Sequence, residues 1–222
     1  MDSRVYDQLN YILALFDSQF PVGAFAFSWG LESFVSDKSD KLTLEKLVDA
    51  YIKEGPLHLE LFSCKLSYEY SDCIECLKCV NDYVSAFKIL PSVYEPSVKI
   101  GRNLIKASKE ILNVEFPYNE VKDPHFSVVL GYVGATLNIK LDLLLFSFAH
   151  SNIKNLLSSL MRCIPLSPYE AWKTLLTSYK KLKDEINRIL LYQDWDQIFV
   201  NTFLWDIHSF RQRFLETRLF EG

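Results

Sequence analysis

The run Ser167-Pro168-Tyr169-Glu170 constrains the fold most, because a Ser-x-x-Glu capping box with proline at the first helical position fixes where a helix begins. Behind it Trp172, Leu175, Leu176, Tyr179, Leu182, Ile186 and Ile189 fall on one stripe with lysines and acids elsewhere, which predicts a long amphipathic helix. Similar punctuation recurs along the chain. Thr43 is placed to cap a helix over 44–54 that Gly55-Pro56 terminates, and Asp123-Pro124 pairs a cap with a proline at the first helical position. Between Phe126 and Leu137 the residues Phe126, Val129, Leu130, Val133 and Leu137 make a large-residue face, while Ser127, Gly131 and Gly134 make a small one that suits a close helix crossing. Alternating strand-like runs are missing, since Pro91 and Pro96 break the only β-branched patch, over 83–94. The irregular segment 113–123, with Pro117, Tyr118 and Asn119, reads as the longest loop and a surface hinge. The sequence therefore predicts an all-α fold, one compact multi-helix domain over 1–222, with no repeat, low-complexity tract or linker to divide it.

Composition excludes several function classes. Only 7 of 222 residues are glycine, and neither Gly-x-x-x-x-Gly-Lys-Ser/Thr nor Gly-x-Gly-x-x-Gly occurs, so a nucleotide, if one matters, is held by a partner. The formal net charge is -4 and the basic residues are dispersed, so nucleic-acid binding lacks its electrostatic footprint. Asp2, Arg4 and Asp7 precede any apolar run, unlike a signal peptide, and the stretch Leu143 to Ala149 is far shorter than the roughly 20 residues a membrane helix needs. The expectation is a soluble, cytoplasmic protein without a membrane or nucleic-acid partner.

Five cysteines leave an odd one over and do not make a secreted disulfide framework, which fits a reducing compartment. Cys73, Cys76 and Cys79 form a Cys-x-x-Cys-x-x-Cys run with two readings: a metal site, or three small, partly buried hydrophobes. On a continuous helix those positions drift around the surface, and no fourth Cys-Pro follows at the ferredoxin spacing. His58, His125, His150 and His208 are widely separated, with no His-x-x-x-His or His-Glu-x-x-His pair, and His125, beside a cap, reads as a local hydrogen-bonding residue. No Gly-x-Ser-x-Gly elbow or paired carboxylates stand out, so no catalytic set is predicted.

Near the N-terminus Ser18 to Phe34 packs aromatics around a Pro21-x-Gly23 turn, where proline fixes one φ and glycine tolerates a positive one. The turn joins a helix ending near Phe16 to one starting near Ala24, whose faces are Phe27, Leu31, Phe34, Val35 and Phe25, Ser28, Trp29, Glu32. The second mixes aromatic surface with a carboxylate, which suits a partner site. At the other end Ile207, Phe210 and Phe214 predict an apolar helix face from Asp206, with Arg211, Leu215 and Arg218 at i, i+4 and i+7 before Leu219-Phe220.

Four of these segments resemble the urease accessory protein UreF family. They are Phe20 to Phe25 with Ser28 and Gly30 to Glu32, then Glu95-x-Ser97 with Gly101-Arg102, then His125 to Gly131, then Arg218 to Phe220. The chain departs from the family at Ser167-Pro168 and Ala171-Trp172, where Gly-Gln pairs are usual. It departs again at Phe210-Arg211-Gln212-Arg213, in place of Met-x-His-Glu, and at Tyr94, where an arginine is common. The resemblance implies an all-helical, non-enzymatic urease maturation factor. Such a factor forms a homodimer, binds the accessory protein UreD (UreH), recruits the GTPase UreG and serves nickel insertion into apo-urease. It has no cofactor of its own, and nickel transits the complex. On that reading Ser28, Trp29 and Glu32 meet the GTPase or a nickel route. The helix and tail 206–222, through Arg211, Arg218, Leu219 and Phe220, dock the other accessory protein. Arg102 is a structural ion pair or a partner contact.

Overall fold

The computed structural model describes residues 3–23, 31–36, 43–53, 55–193, 195, 200–201 and 203–214. Their order is α1 (Ser3–Leu15), α2 (Leu31–Ser36), α3 (Leu44–Lys53), α4 (Pro56–Glu69), α5 (Ile74–Phe87), α6 (Pro91–Leu112), α7 (Phe126–Thr136), α8 (Leu141–Cys163), α9 (Pro168–Leu191) and α10 (Phe203–Arg211), with a 3-10 turn at Gln212–Phe214. No strand occurs among the described residues, as the spacing of apolar residues and caps predicts. The chain forms two compact units, 1–24 with 60–148 and 25–59 with 149–222. Each is assembled from two stretches of sequence, so no single linker separates them.

The first unit is organised around α7, which packs on α6 and α5. Val128, Val129, Leu130 and Val133 are buried, and so are Ser127, Gly131 and Gly134, so the large and the small face are both covered. The glycines are there for contact distance. A Cβ at Gly131 would stand 2.3 Å from the Cys64 carbonyl oxygen of α4, and one at Gly134 2.3 Å from Leu144 Cδ2 of α8. Phe148 completes this core between Phe126 (ring centroids 5.6 Å apart, edge to face) and Phe16 (6.4 Å, stacked). The Pro21-x-Gly23 turn forms as its residues dictate: Gly23 has φ +76°, and Asn103 of α6 donates its amide to the Val22 carbonyl at 3.0 Å.

The patch that Pro91 and Pro96 interrupt is helical and not a strand, as expected: Pro91 opens α6 and Pro96 lies inside it. Two expectations are corrected in this unit. Asp123-Pro124 does not start α7. Its N-cap is His125, without a side-chain cap bond, and Asp123 turns the chain with φ +48°. The segment 113–123 is not a loose surface hinge, because Val114, Phe116 and Val121 are all buried.

In the second unit α3 packs on α9. The capping box is complete: the Glu170 amide donates to Ser167 Oγ at 3.2 Å, and the Ser167 amide to Glu170 Oε2 at 3.2 Å, an arrangement that contributes on the order of 1 kcal/mol. The buried seam of α9 is Ala171, Leu175, Ser178, Leu182, Glu185, Ile186 and Ile189. Trp172 and Leu176 are more than half exposed, against the predicted stripe. The seam includes the small residues Ala171 and Ser178, which a stripe drawn through the largest side chains misses. Glu185 enters the seam because it is matched. His58 Nδ1 lies 2.5 Å from its Oε1, and Arg188 Nη2 donates to both of its oxygens at 2.7 Å. Burial opposes ionisation there, but these two partners hold the Glu185 carboxyl below its ordinary range.

Candidate functional site

The two internal signature runs, Glu95 to Arg102 on α6 and His125 to Gly131 on α7, meet in the first unit, joined by α5. At the crossing Gly101 faces the turn before α7 so closely that a Cβ would lie 2.1 Å from the Pro124 carbonyl oxygen. Asn81 of α5 holds the same turn. Its amide donates to the Lys122 carbonyl at 3.1 Å and the Asp123 carbonyl at 3.4 Å, and its Oδ1 accepts from the His125 backbone amide at 2.9 Å. On the outside Arg102 pairs with Asp123, with both side chains about half exposed.

A hydrogen-bond chain runs through the inside of this clasp, and its members give it a direction. The Lys88 ammonium is 4% exposed and paired with Glu60. It also donates to Ser97 Oγ at 2.7 Å. Ser97 Oγ lies 3.1 Å from His125 Nδ1, and His125 Nε2 lies 3.0 Å from Ser85 Oγ. Ser85 in turn donates to the Asn81 carbonyl at 2.9 Å. Since Ser97 already accepts from Lys88 and Ser85 spends its proton on a carbonyl, the assignment that satisfies every group has Ser97 donating to Nδ1 and Nε2–H donating to Ser85. That assignment needs a neutral imidazole. Burial, and then the Lys88 charge, push the His125 pKa down to about 2. Tyr94, where an arginine is common in the resembling family, packs edge-on against this ring at 5.1 Å. His125 is a hydrogen-bonding residue as expected, but not a local one, since its ring bonds Ser97 of α6 and Ser85 of α5; Arg102 forms the structural ion pair.

The second grouping lies between α2 and α10. Ser28 and Trp29 fall outside the described residues, as do Arg218, Leu219 and Phe220. Glu32 opens α2 but is buried, with Gln212 Nε2 donating to its Oε2 at 3.3 Å. Ser33 Oγ lies 3.4 Å from His208 Nδ1, and Phe34 and Tyr51 pack on Trp205. This reverses the predicted amphipathicity of α10. The helix begins at Phe203, not Asp206, and buries Trp205, His208 and Ser209, while Phe210 and Phe214 are exposed beside Arg211. His208 and Gln212 go inward because each meets a partner on α2, which a hydropathy pattern cannot register.

Neither reading of the cysteine run survives unchanged. Cys73 and Cys76 are joined by a disulfide and Cys79 is exposed, so they are not three buried hydrophobes. Among the described residues no group of three or more His, Cys, Asp and Glu side chains could hold a metal ion. No described helix is long and apolar enough to cross a membrane. His58 and Glu185 have the spacing of a base and its orienting carboxylate, yet they are only 1% and 4% exposed.

Sequence comparison covers the clasp whole. The family model UreF matches residues 38–179, more than half of the chain and every residue from Glu60 to His125 that builds the clasp. The chain belongs to the UreF family. Three relatives carry the name urease accessory protein UreF. The one from Nostoc sp. is 26% identical over 218 residues, 96% of this chain and 95% of its own. That from Lachnoclostridium phytofermentans is 25% identical over 225 residues, 95% and 98%. That from Geobacillus kaustophilus is 24% identical over 177 residues, 76% and 78%. Ser97, Gly101 and His125, which stand in the internal runs, all lie within the matched range. Lys88, Glu60, Asn81 and Ser85 complete the clasp and were not singled out from sequence. Nothing in the local sequence marks them, since α5 carries other polar residues, Glu75, Lys78 and Asp82, that take no part in the clasp.

Proposed function

We propose that this chain is a urease accessory factor that works by binding and not by catalysis. The observation that carries the reading is near full-length similarity to proteins named urease accessory protein UreF. In this role it acts in the cytoplasm as a homodimer, binds the accessory protein UreD (UreH) and recruits the GTPase UreG, so that nickel, the cargo, enters apo-urease. The chain would favour one nucleotide-dependent state of the GTPase, since a scaffold shifts an equilibrium only by differential affinity.

The exposed surface supports a binding role. Tyr6, Leu9 and Leu13 on α1, Tyr169, Trp172 and Leu176 on α9, and Phe203, Phe210 and Phe214 at α10 all face solvent. Large apolar side chains grouped this way mark interaction surfaces. Phe210 and Phe214 beside the exposed Arg211 give the C-terminal docking helix an aromatic and guanidinium character, the kind that dominates interfaces. Glu32 reaches a partner only if α10 moves from it.

Co-expression with the cognate UreD-like and UreG-like proteins, followed by size exclusion with light scattering, tests this reading. The intact chain should form a complex that deletion of Arg218 to Gly222 abolishes. Failure of the intact chain to bind either protein would overturn the proposal, and an unchanged complex after truncation would overturn the tail's role.

A further inference from the structure

We propose that Cys73 and Cys76 are a reversible dithiol–disulfide couple that locks or releases the first turn of α5. The two sulfurs are bonded, and both residues are half-buried, within reach of a small reagent. Cys73 is the N-cap of α5, with extended backbone, and its Sγ accepts from the Cys76 amide at 3.3 Å. In the reduced protein the same amide faces the Cys73 sulfur and favours its thiolate, which makes Cys73 the entering nucleophile. The exposed Asp72 and Glu75 beside it oppose that charge.

The step balances with an oxidised small-molecule disulfide such as glutathione disulfide as the oxidant. The Cys73 thiolate attacks one of its sulfurs and expels a glutathione thiolate. The Cys76 thiolate then attacks Cys73 Sγ in the mixed disulfide and expels the second. Two electrons pass to glutathione, and the two protons lost by the cysteines are taken up by the departing thiolates. Cys64 is buried, and burial with the Glu60 charge pushes its thiol pKa up, so it stays out of the exchange. In a reducing compartment a disulfide that forms is typically transient and redox-responsive.

The lock has a structural consequence, because α5 carries Asn81 and Ser85, two turns and three turns beyond it, into the clasp with His125. Oxidation closes the Cys73–Cys76 turn, which already has the Leu77 amide on the Cys73 carbonyl at 2.9 Å, and so holds the helix end that feeds the clasp.

The full chain, equilibrated in glutathione buffers of graded ratio, then denatured and alkylated, tests the couple by mass. Oxidised protein should take three alkyl groups, on Cys64, Cys79 and Cys163, and dithiothreitol-treated protein five. The melting temperature should fall by about 4 °C on reduction. Cys73→Ser, which keeps an oxygen acceptor at the N-cap, should fold and melt at the reduced temperature in both buffers. Five alkyl groups under full oxidation, a mapped disulfide that includes Cys79, or a wild-type melting temperature indifferent to dithiothreitol would each overturn the proposal.

Discussion

Gly101→Val is expected to abolish soluble, folded protein or to destabilise it by more than about 4 kcal/mol, beyond the usual range for one substitution. The added Cβ meets only backbone: the Pro124 carbonyl oxygen at 2.1 Å, the His125 carbonyl carbon at 3.1 Å and the Phe126 nitrogen at 3.1 Å. None of these atoms can swing aside, since Asn81 fixes the turn from the other side with bonds to Lys122, Asp123 and His125. The next residue of the same signature provides the contrast. Arg102 pairs with Asp123 in solvent, so Arg102→Ala should cost less than about 1 kcal/mol. Denaturant unfolding followed by circular dichroism checks both. Equal losses at 101 and 102 would mean that the signature does not work through the crossing.

Lys88→Ala should cost about 3–5 kcal/mol, the range for a buried pair that loses one member. The Glu60 carboxylate it leaves behind is 14% exposed, and its Oε2 has no hydrogen-bond partner among the described residues. Ser97 would lose its donor in the same step, so the chain of bonds through His125 loses its origin. A pair removed together behaves differently, because no charge is then stranded. Lys88→Met with Glu60→Leu should recover most of the loss in the same unfolding measurement. A single Lys88→Ala variant within 1 kcal/mol of the parent, or a double variant worse than the single, would show that the pair is not what holds the clasp.

The parts of the fold that rest on local chemistry were legible in the sequence. Ser167 and Glu170 cap α9 as their spacing dictates, Gly23 takes the positive φ its place in the turn requires, and the small residues of α7 mark close crossings. What was misread depends on partners far away in the chain. Glu185 and Gln212 are buried because His58 and Glu32 receive them, while Trp172 and Phe210 are exposed despite their size. Hydropathy periodicity weighs each residue alone and so assigned both helix faces by bulk. The same limit applies to the site. Ser97, Gly101 and His125 were visible as a family pattern, but that they clasp one another, and that Lys88 drives the network, follows only from the fold. Glu32 was read as a surface carboxylate, and the fold buries it beneath α10.

The central claim is that this UreF-family chain serves urease maturation by binding. Its most direct test is the nickel content and activity of urease purified from cells that express the cognate urease and accessory genes, with this chain present or deleted. The account predicts nickel-loaded, active urease only when the chain is present, and apo-urease without it. Equal nickel occupancy in both preparations would contradict it.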